Sequence, residues 1–200
     1  MRPRKYGDAG QAFPIYITVV GGLLFLAFAY FAVGQATVNR NGAQTAADAA
    51  ALAAAQDKRD QLAGAWIENL LDPVKWDEIF DGAADGLVLS CWRADQLAAQ
   101  NAAEVLNCAT EGLLGYTVRV RSTESVGESI VPGTEEFKSE ATATAVIKPR
   151  CEFDLPAEDE EEGTLPLLTC KDEEWELDPE DSEGRLPQPE DLFDVYLADQ

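Results

Sequence analysis

The positions of the four cysteines in the chain indicate what chemistry they can carry out. All four follow the one long uncharged segment of the 200-residue chain. None of them forms a C-x-x-C pair, the spacing typical of metal binding or thiol redox chemistry. We therefore predict disulfides in an oxidising compartment. Three pairings are possible, and Cys91–Cys108 with Cys151–Cys170 is favoured because each closes a short loop.

Side chains suited to catalysis are scarce. The chain contains no histidine, which removes the commonest general base and the commonest nitrogen ligand of zinc. It also has no glycine-rich phosphate loop, zinc signature or nucleophile elbow. The sequence thus predicts a protein that is not an enzyme and that has no cofactor, metal site or small-molecule substrate.

The acidic residues are concentrated at the carboxyl end. The formal net charge is −22, and residues 152–200 carry nineteen acids against Lys171 and Arg185. Such a chain repels nucleic acid, so we expect no nucleic-acid partner. The composition predicts a disordered acidic tail. Its run Glu158–Glu162 is most simply solvated; calcium binding is the alternative, although a D-x-D-x-D-G loop is missing.

An apolar segment, residues 13–33, lies in the uncharged stretch between Asp8 and Arg40. It is long enough to cross roughly 30 Å of hydrocarbon as a helix. We therefore predict a transmembrane helix. A secretory signal cleaved after Ala36 is the alternative, but the apolar run exceeds the usual length of a signal core.

The charges that flank this helix predict its orientation. Arg2, Arg4 and Lys5 precede the span, and the positive-inside rule places them in the cytoplasm. Residues 1–12 are then a cytoplasmic basic segment, and the rest of the chain after the span is extracytoplasmic. The predicted disulfides require the same orientation.

Residues 34–72 are predicted to extend the span as an alanine-rich stalk helix, because strong helix formers continue until Pro73. A helix from Pro14 to Leu71 would be roughly 87 Å long. Alanine in residues 43–55 satisfies helix propensity, and it also allows another helix, from the same chain or a neighbour, to approach closely. The alanines predicted to pack in this way are Ala43, Ala46, Ala47, Ala50, Ala51 and Ala54.

Residues 73–151 are predicted to form a small α+β domain, with helices on a sheet of two or three antiparallel strands. Residues 116–121 and 141–148 alternate in polarity as strands do, and residues 165–170 are a candidate third strand. The alanines of 141–148 would let the distal stalk lie close to the sheet.

Two helices are predicted ahead of these strands. One follows Asp72-Pro73, buries Trp76, Ile79 and Phe80, and stops at Gly82. The other covers residues 94–107. A Cys91–Cys108 bridge would have to join the two ends of that second helix, which are too far apart unless the segment before it folds back. The apolar residues 192–197 are predicted either to dock on the domain or to meet a partner.

The segments on either side of the span resemble a known family. Residues 10–12 (GQA) and 40–53 (RNGAQTAADAAALA) are similar to the amino-terminal segment of TadE/TadG-like Flp pilus-assembly proteins, and the resemblance covers about the first 56 residues. It implies a pilin-like domain on one membrane helix in the plasma membrane of a bacterium. It also implies other pilin-like or Tad-system subunits as partners.

The resemblance also implies a processing site. A prepilin peptidase would cut between Gly10 and Gln11, which leaves Ile15 at the fifth mature position, where pilins carry a glutamate. A buried charge pair between subunits is then unavailable, so filament formation by this chain alone is not expected.

The sequence therefore predicts a non-enzymatic, single-pass, minor pilin-like or pseudopilin-like component of a Tad/Flp-type pilus or secretion assembly, which packs through its alanine-rich stalk. The alternative is a membrane-tethered envelope protein whose acidic tail binds a basic partner or divalent cations.

Overall fold

A computed structural model describes residues 12–125, 137–155, 165–171, 173–177 and 186–198. The helices are α1 (Ala12–Glu68), α2 (Trp76–Phe80, after a 3-10 turn Pro73–Lys75), α3 (Cys91–Gln100) and α4 (Pro189–Leu192). The strands are β1 (Ala103–Thr110), β2 (Gly115–Ser122), β3 (Glu140–Pro149), β4 (Cys151–Glu152), β5 (Leu168–Cys170), β6 (Glu173–Trp175) and β7 (Phe193–Leu197). The fold is thus α+β, as predicted.

Helix α1 is continuous over 57 residues, which corresponds to roughly 86 Å. It joins the apolar segment and the alanine-rich stalk without a break, as the sequence predicted. It ends at Glu68 rather than near Asp72, because the Asn69 side chain donates a hydrogen bond to the Ala65 carbonyl at 2.8 Å and the chain turns. The short helix α2 follows Pro73 and buries the three predicted residues, Trp76, Ile79 and Phe80.

The main sheet is antiparallel and has four strands in the order β1-β2-β3-β7. The predicted strands β2 and β3 pair as expected, and alternation places Tyr116, Val118 and Val120 in the core. The prediction of two or three strands is wrong, because β1 and β7 flank this pair.

Strand β1 corrects the predicted helix 94–107. The helix α3 ends at Gln100, where the Asn101 side chain donates a hydrogen bond to the Leu97 carbonyl at 2.8 Å. Ala102 then adopts a left-handed conformation, with φ of 51°, and the chain reverses into β1. Pairing with β2 thus overrides the helix propensity of Ala103, Glu104 and Leu106.

Strand β7 corrects the prediction of a wholly disordered tail. It forms an edge of the main sheet beside β3, and Phe193 at its start is buried against Phe80, with ring centroids 5.2 Å apart. The apolar carboxyl end therefore docks on the domain, which was one of the two predicted alternatives. The run Glu158–Glu162 lies outside the described residues.

The remaining short strands form a second sheet in the order β4-β5-β6. Residues 168–170 do form a strand, as predicted, but it pairs with β4 and β6 instead of joining the main sheet. The aromatic ring of Phe153, which follows β4, packs on Trp76 and Phe80 at centroid distances of 5.2 and 5.8 Å. The small sheet thereby stays attached to the core.

Candidate functional site

The amino-terminal half of α1 extends away from the domain. The segment Phe13–Phe31 has 19 residues, a mean hydropathy of 2.0 and no buried share, and it is the one candidate membrane span in the described part of the chain. Beyond it, the described side chains of 34–42 are also exposed, and burial begins at Ala43. About 30 residues of helix, or roughly 45 Å, thus lie outside the folded domain.

The carboxyl-terminal half of α1 lies in the core. It packs on β2, β3 and β7 on one side and on α3 on another. The facing positions of the sheet, Ala143 and Ala145, are themselves alanines and are fully buried. Methyl groups therefore meet methyl groups, and the helix can approach the strands closely.

The six alanines predicted to pack are all buried in this layer. Ala43, Ala46, Ala47, Ala50, Ala51 and Ala54 are each at most 1% exposed. The prediction left open whether the partner helix belongs to the same chain or to a neighbour, and in this structure the domain's own sheet and α3 cover the face. The distal part of the stalk was predicted to contact the sheet. The alanine-rich part of α1 contacts it as well.

Both predicted disulfides are present. Cys91 bonds to Cys108, and Cys151 bonds to Cys170. The first bridge is possible because α3 is short and β1 runs back beside it, which brings the two Cα atoms within 5.9 Å. The second joins directly opposite residues of β4 and β5. The first bridge thus holds α3 beside β1 where the chain reverses. The second holds together the short strands β4 and β5.

A network that sequence reasoning missed holds the loop before α3 on the distal part of α1. The Gln61 side chain accepts a hydrogen bond from the Val88 amide at 2.8 Å and donates one to Ser90 Oγ at 3.1 Å. Lys58 Nζ donates to the Gly82 carbonyl at 3.3 Å, and burial lowers the pKa of this lysine. Polar spacing on a helix gives no signal for such partners, because they are distant in sequence.

A polar cleft lies where α1 enters the domain. It has a volume of about 590 Å³ and is lined by Arg40, Asn41, Gln44, Arg119, Glu140, Ala141 and Thr142. The Gln44 amide points from the helix toward the Thr142 carbonyl at 3.5 Å. The Glu140 carboxylate is bound by Arg121, with Nη2 to Oε1 at 2.7 Å. Sequence reasoning did not single out this cleft, because it forms between elements about 100 residues apart.

The proposed processing residues, Gly10 and Gln11, lie outside the described residues, so this site stays a prediction. In the part of the chain that the structure describes, no group of three or more Cys, Asp or Glu side chains is arranged to hold a metal ion. The alternative prediction of calcium at Glu158–Glu162 falls outside that part.

Comparison with known proteins agrees with the resemblance seen in the sequence. The family model of TadE/G-like Flp pilus-assembly proteins matches residues 10–57. No curated protein and no solved structure matches the chain. The matched segment runs from the start of α1 through the exposed half and into the buried alanine layer.

This match supports a component of a Tad system, and the TadE/G-like family is generally structural. Together with the apolar amino-terminal helix, it suggests a membrane-anchored bacterial protein associated with Tad-system subunits. Residues 10–57 are thus similar to the TadE/G-like segment of Flp pilus-assembly proteins, and this part of the chain supplies both the exposed helix and the alanine layer of the core.

Proposed function

We propose that this chain is a non-enzymatic, single-pass, minor pilin-like or pseudopilin-like component of a Tad/Flp-type pilus or secretion assembly. Its amino terminus lies in the cytoplasm, α1 crosses the plasma membrane, and the α+β domain stands outside. Its partners are other pilin-like or Tad-system subunits. The disulfides fit this orientation, because they form in oxidising compartments.

The observation that carries the proposal is the division of α1 into two halves. Residues 43–68 are built into the core, whereas the described side chains of residues 13–42 are exposed. An apolar helix of this length is stable when lipid or other helices surround it. Fixing the buried half in a folded domain holds the exposed half in a single direction.

The contact with partner subunits is assigned to the exposed half. The alanine face is occupied by the chain's own sheet, so the helix surface left for neighbours is that of residues 13–42. A methyl group in place of the glycine hydrogen at Gly21 or Gly22 would have no heavy atom within 4 Å. Another helix therefore has room to approach there. Small residues favour such close approach in lipid.

Site-specific photo-crosslinking in intact cells tests the partner contact. A benzoylphenylalanine at Val38, which is 70% exposed on the helix between span and domain, should capture Tad-system subunits. The matched control is Val74, which is 71% exposed at the far end of the domain. Equal capture from both positions, or none from Val38, would contradict the proposal.

The state of the amino terminus tests the anchor. Carbonate-resistant membrane association with a mature mass that includes residues 13–33 is expected. A chain that starts at Gln11 would establish prepilin-type processing as well. A released chain that starts after Ala36 would instead show a cleaved signal and would contradict the membrane-anchored function.

The acidic envelope protein remains the alternative function, and its test changes with the structure. Removing residues 152–200 would delete β5, β6 and β7 as well as Cys170, so the loss of binding would be uninterpretable. Neutralising Glu158–Glu162 to glutamine leaves the described elements intact. Normal assembly of this variant supports the pilus component, whereas lost binding to a basic partner or a divalent cation supports the alternative.

A further inference from the structure

The cleft at the junction of α1 and the domain has an excess of positive charge in a chain with a net charge of −22. Arg40 and Arg119 line it, and neither has an ion pair or side-chain hydrogen bond with any residue that the structure describes. The one carboxylate in the lining, Glu140, is already bound by Arg121 at 2.7 and 2.9 Å. Two guanidinium groups therefore remain available for an anion.

The cleft also lies on the side of the domain from which the exposed half of α1 extends. Strand β3 begins beside it with Glu140, and Gln44 on the helix reaches the Thr142 carbonyl. Side chains on a helix lean toward its amino terminus. Arg40 precedes Asn41 and Gln44 on the helix and is therefore the lining residue of α1 nearest to the apolar span.

The length of helix between the span and Arg40 matches the thickness of a headgroup layer. Arg40 follows Val33 by seven residues, which is about 10 Å along a helix axis. The polar layer on each side of the hydrocarbon is roughly 5–8 Å thick. Arg40 therefore lies at about the outer edge of that layer, within reach of phosphate groups.

We propose that the junction cleft binds the phosphate of an anionic phospholipid headgroup. Arg40 and Arg119 supply the charge, because guanidinium groups bind phosphate oxygens in a two-pronged geometry. Asn41 and Gln44 supply neutral polar groups beside it. The site rests on the proposed function, since it requires that α1 cross the membrane with the domain outside.

Native mass spectrometry of the full chain in nanodiscs tests the site. The bilayer contains equal parts of phosphatidylglycerol and phosphatidylcholine, and the lipids that leave with the protein are counted. The wild-type chain should retain more phosphatidylglycerol than phosphatidylcholine, and this ratio measures the excess. Each of Arg40→Gln and Arg119→Gln should reduce that excess by about five-fold, the effect of one basic side chain near an anionic surface, and the double variant should abolish it.

The matched control is Arg59→Gln, which removes the same charge from the distal part of α1, where Arg59 pairs with Asp60 at 2.8 Å. This variant should retain phosphatidylglycerol as the wild type does. Near-UV circular dichroism checks that all variants are folded. An unchanged excess in the folded double variant overturns the site, and so does complete displacement of the lipid by inorganic phosphate.

Flotation with vesicles separates this proposal from the function on which it rests. A wild-type chain that floats with vesicles of either composition but retains both lipids equally overturns the headgroup site alone. A chain that floats with neither overturns both the membrane anchor and the site.

Discussion

Cys91, the first residue of α3, lies 5.9 Å from Cys108 in β1 when measured between Cα atoms, and a disulfide joins them. This closeness arises because the chain reverses at Ala102 and runs back beside the helix that it has just left. The bridge thus fixes a helix to an edge strand of the main sheet. The second bridge, between Cys151 and Cys170, fixes a sheet whose strands have only two or three residues.

Removal of either disulfide is expected to destabilise the domain. The bridges close loops with sequence separations of 17 and 19 residues, and loops of this size contribute about 3 kcal/mol in the chain-entropy description. Replacing both cysteines of one bridge by serine should therefore lower the free energy of unfolding, measured in urea titrations, by about 3 kcal/mol for either bridge. The control is Ala109→Ser, an exposed position of β1 next to Cys108, which should change it by less than about 0.5 kcal/mol. Unchanged unfolding of both paired variants would show that the bridges are dispensable.

The alanine layer predicts a strong dependence on side-chain volume. Ala50 is fully buried between α1 and its neighbours, so Ala50→Leu should force the helix away from the sheet at a cost of about 1–3 kcal/mol. Thermal unfolding measures the loss. Ala99→Leu on the exposed face of α3 makes the same chemical change and should leave stability nearly unaltered, since leucine is almost as good a helix former. Similar losses in both variants would mean that helix propensity, and not packing, decides the effect.

The elements that sequence analysis predicted correctly are those with a local pattern. Alternation identifies β2 and β3, Pro73 and Gly82 bound α2, and an unbroken run of helix formers identifies α1. The strand β1 was missed because its alanine, glutamate and leucine residues favour a helix, and only its neighbour β2 makes it a strand.

The error at the sheet edge and the question left open on the alanine face have a different cause. The sequence of β7 is short and follows an acidic segment, and it becomes a strand because β3 offers an unpaired edge. The alanines of α1 correctly indicate close packing, but methyl groups carry no information about which neighbour they meet. The junction cleft forms only when folding brings Arg40, Arg119 and Glu140 together. These residues belong to different segments, so no local pattern in the sequence predicts the cleft.

A buried hydroxyl gives a further prediction. The Tyr116 hydroxyl accepts a hydrogen bond from the Ser90 backbone N–H at 3.1 Å, and Tyr116 is 2% exposed. Tyr116→Phe leaves that donor unpaired in the core, which should cost about 1–3 kcal/mol in chemical unfolding. Tyr196→Phe, at a half-exposed position of β7, is the control and should have little effect. Equal stability of both variants would mean that another group satisfies the Ser90 amide.

Asp194 predicts a pH-dependent contribution to stability. A hydrogen bond from Lys171 at 2.9 Å, aided by the charges of Arg150, Lys171 and Lys148, lowers the pKa of this carboxyl. A carboxyl with a lowered pKa in the folded state stabilises the fold above its ordinary pKa, near 4, and loses that contribution as the pH falls through the folded value. Asp194→Asn should therefore lower the melting temperature at pH 7, and the difference should shrink below about pH 4.

The size of this effect should be small and sensitive to salt. Asp194 is about a third exposed, so the ion pairs contribute less than about 1 kcal/mol, and high ionic strength should reduce the difference further. The matched control is Asp85→Asn, which removes an exposed carboxylate in the loop before α3 and should change the melting temperature little at pH 7. A melting difference for Asp194→Asn that persists unchanged at pH 2 would rule out the electrostatic explanation.

The unbroken passage of α1 from its exposed apolar end into the alanine layer has a mechanical consequence. A load applied to the sheet is carried along the helix axis by backbone hydrogen bonds, and no proline interrupts the helix between Ile15 and Glu68. Tension or torque on the folded domain would therefore reach the apolar end of the helix directly, because no flexible segment separates the two.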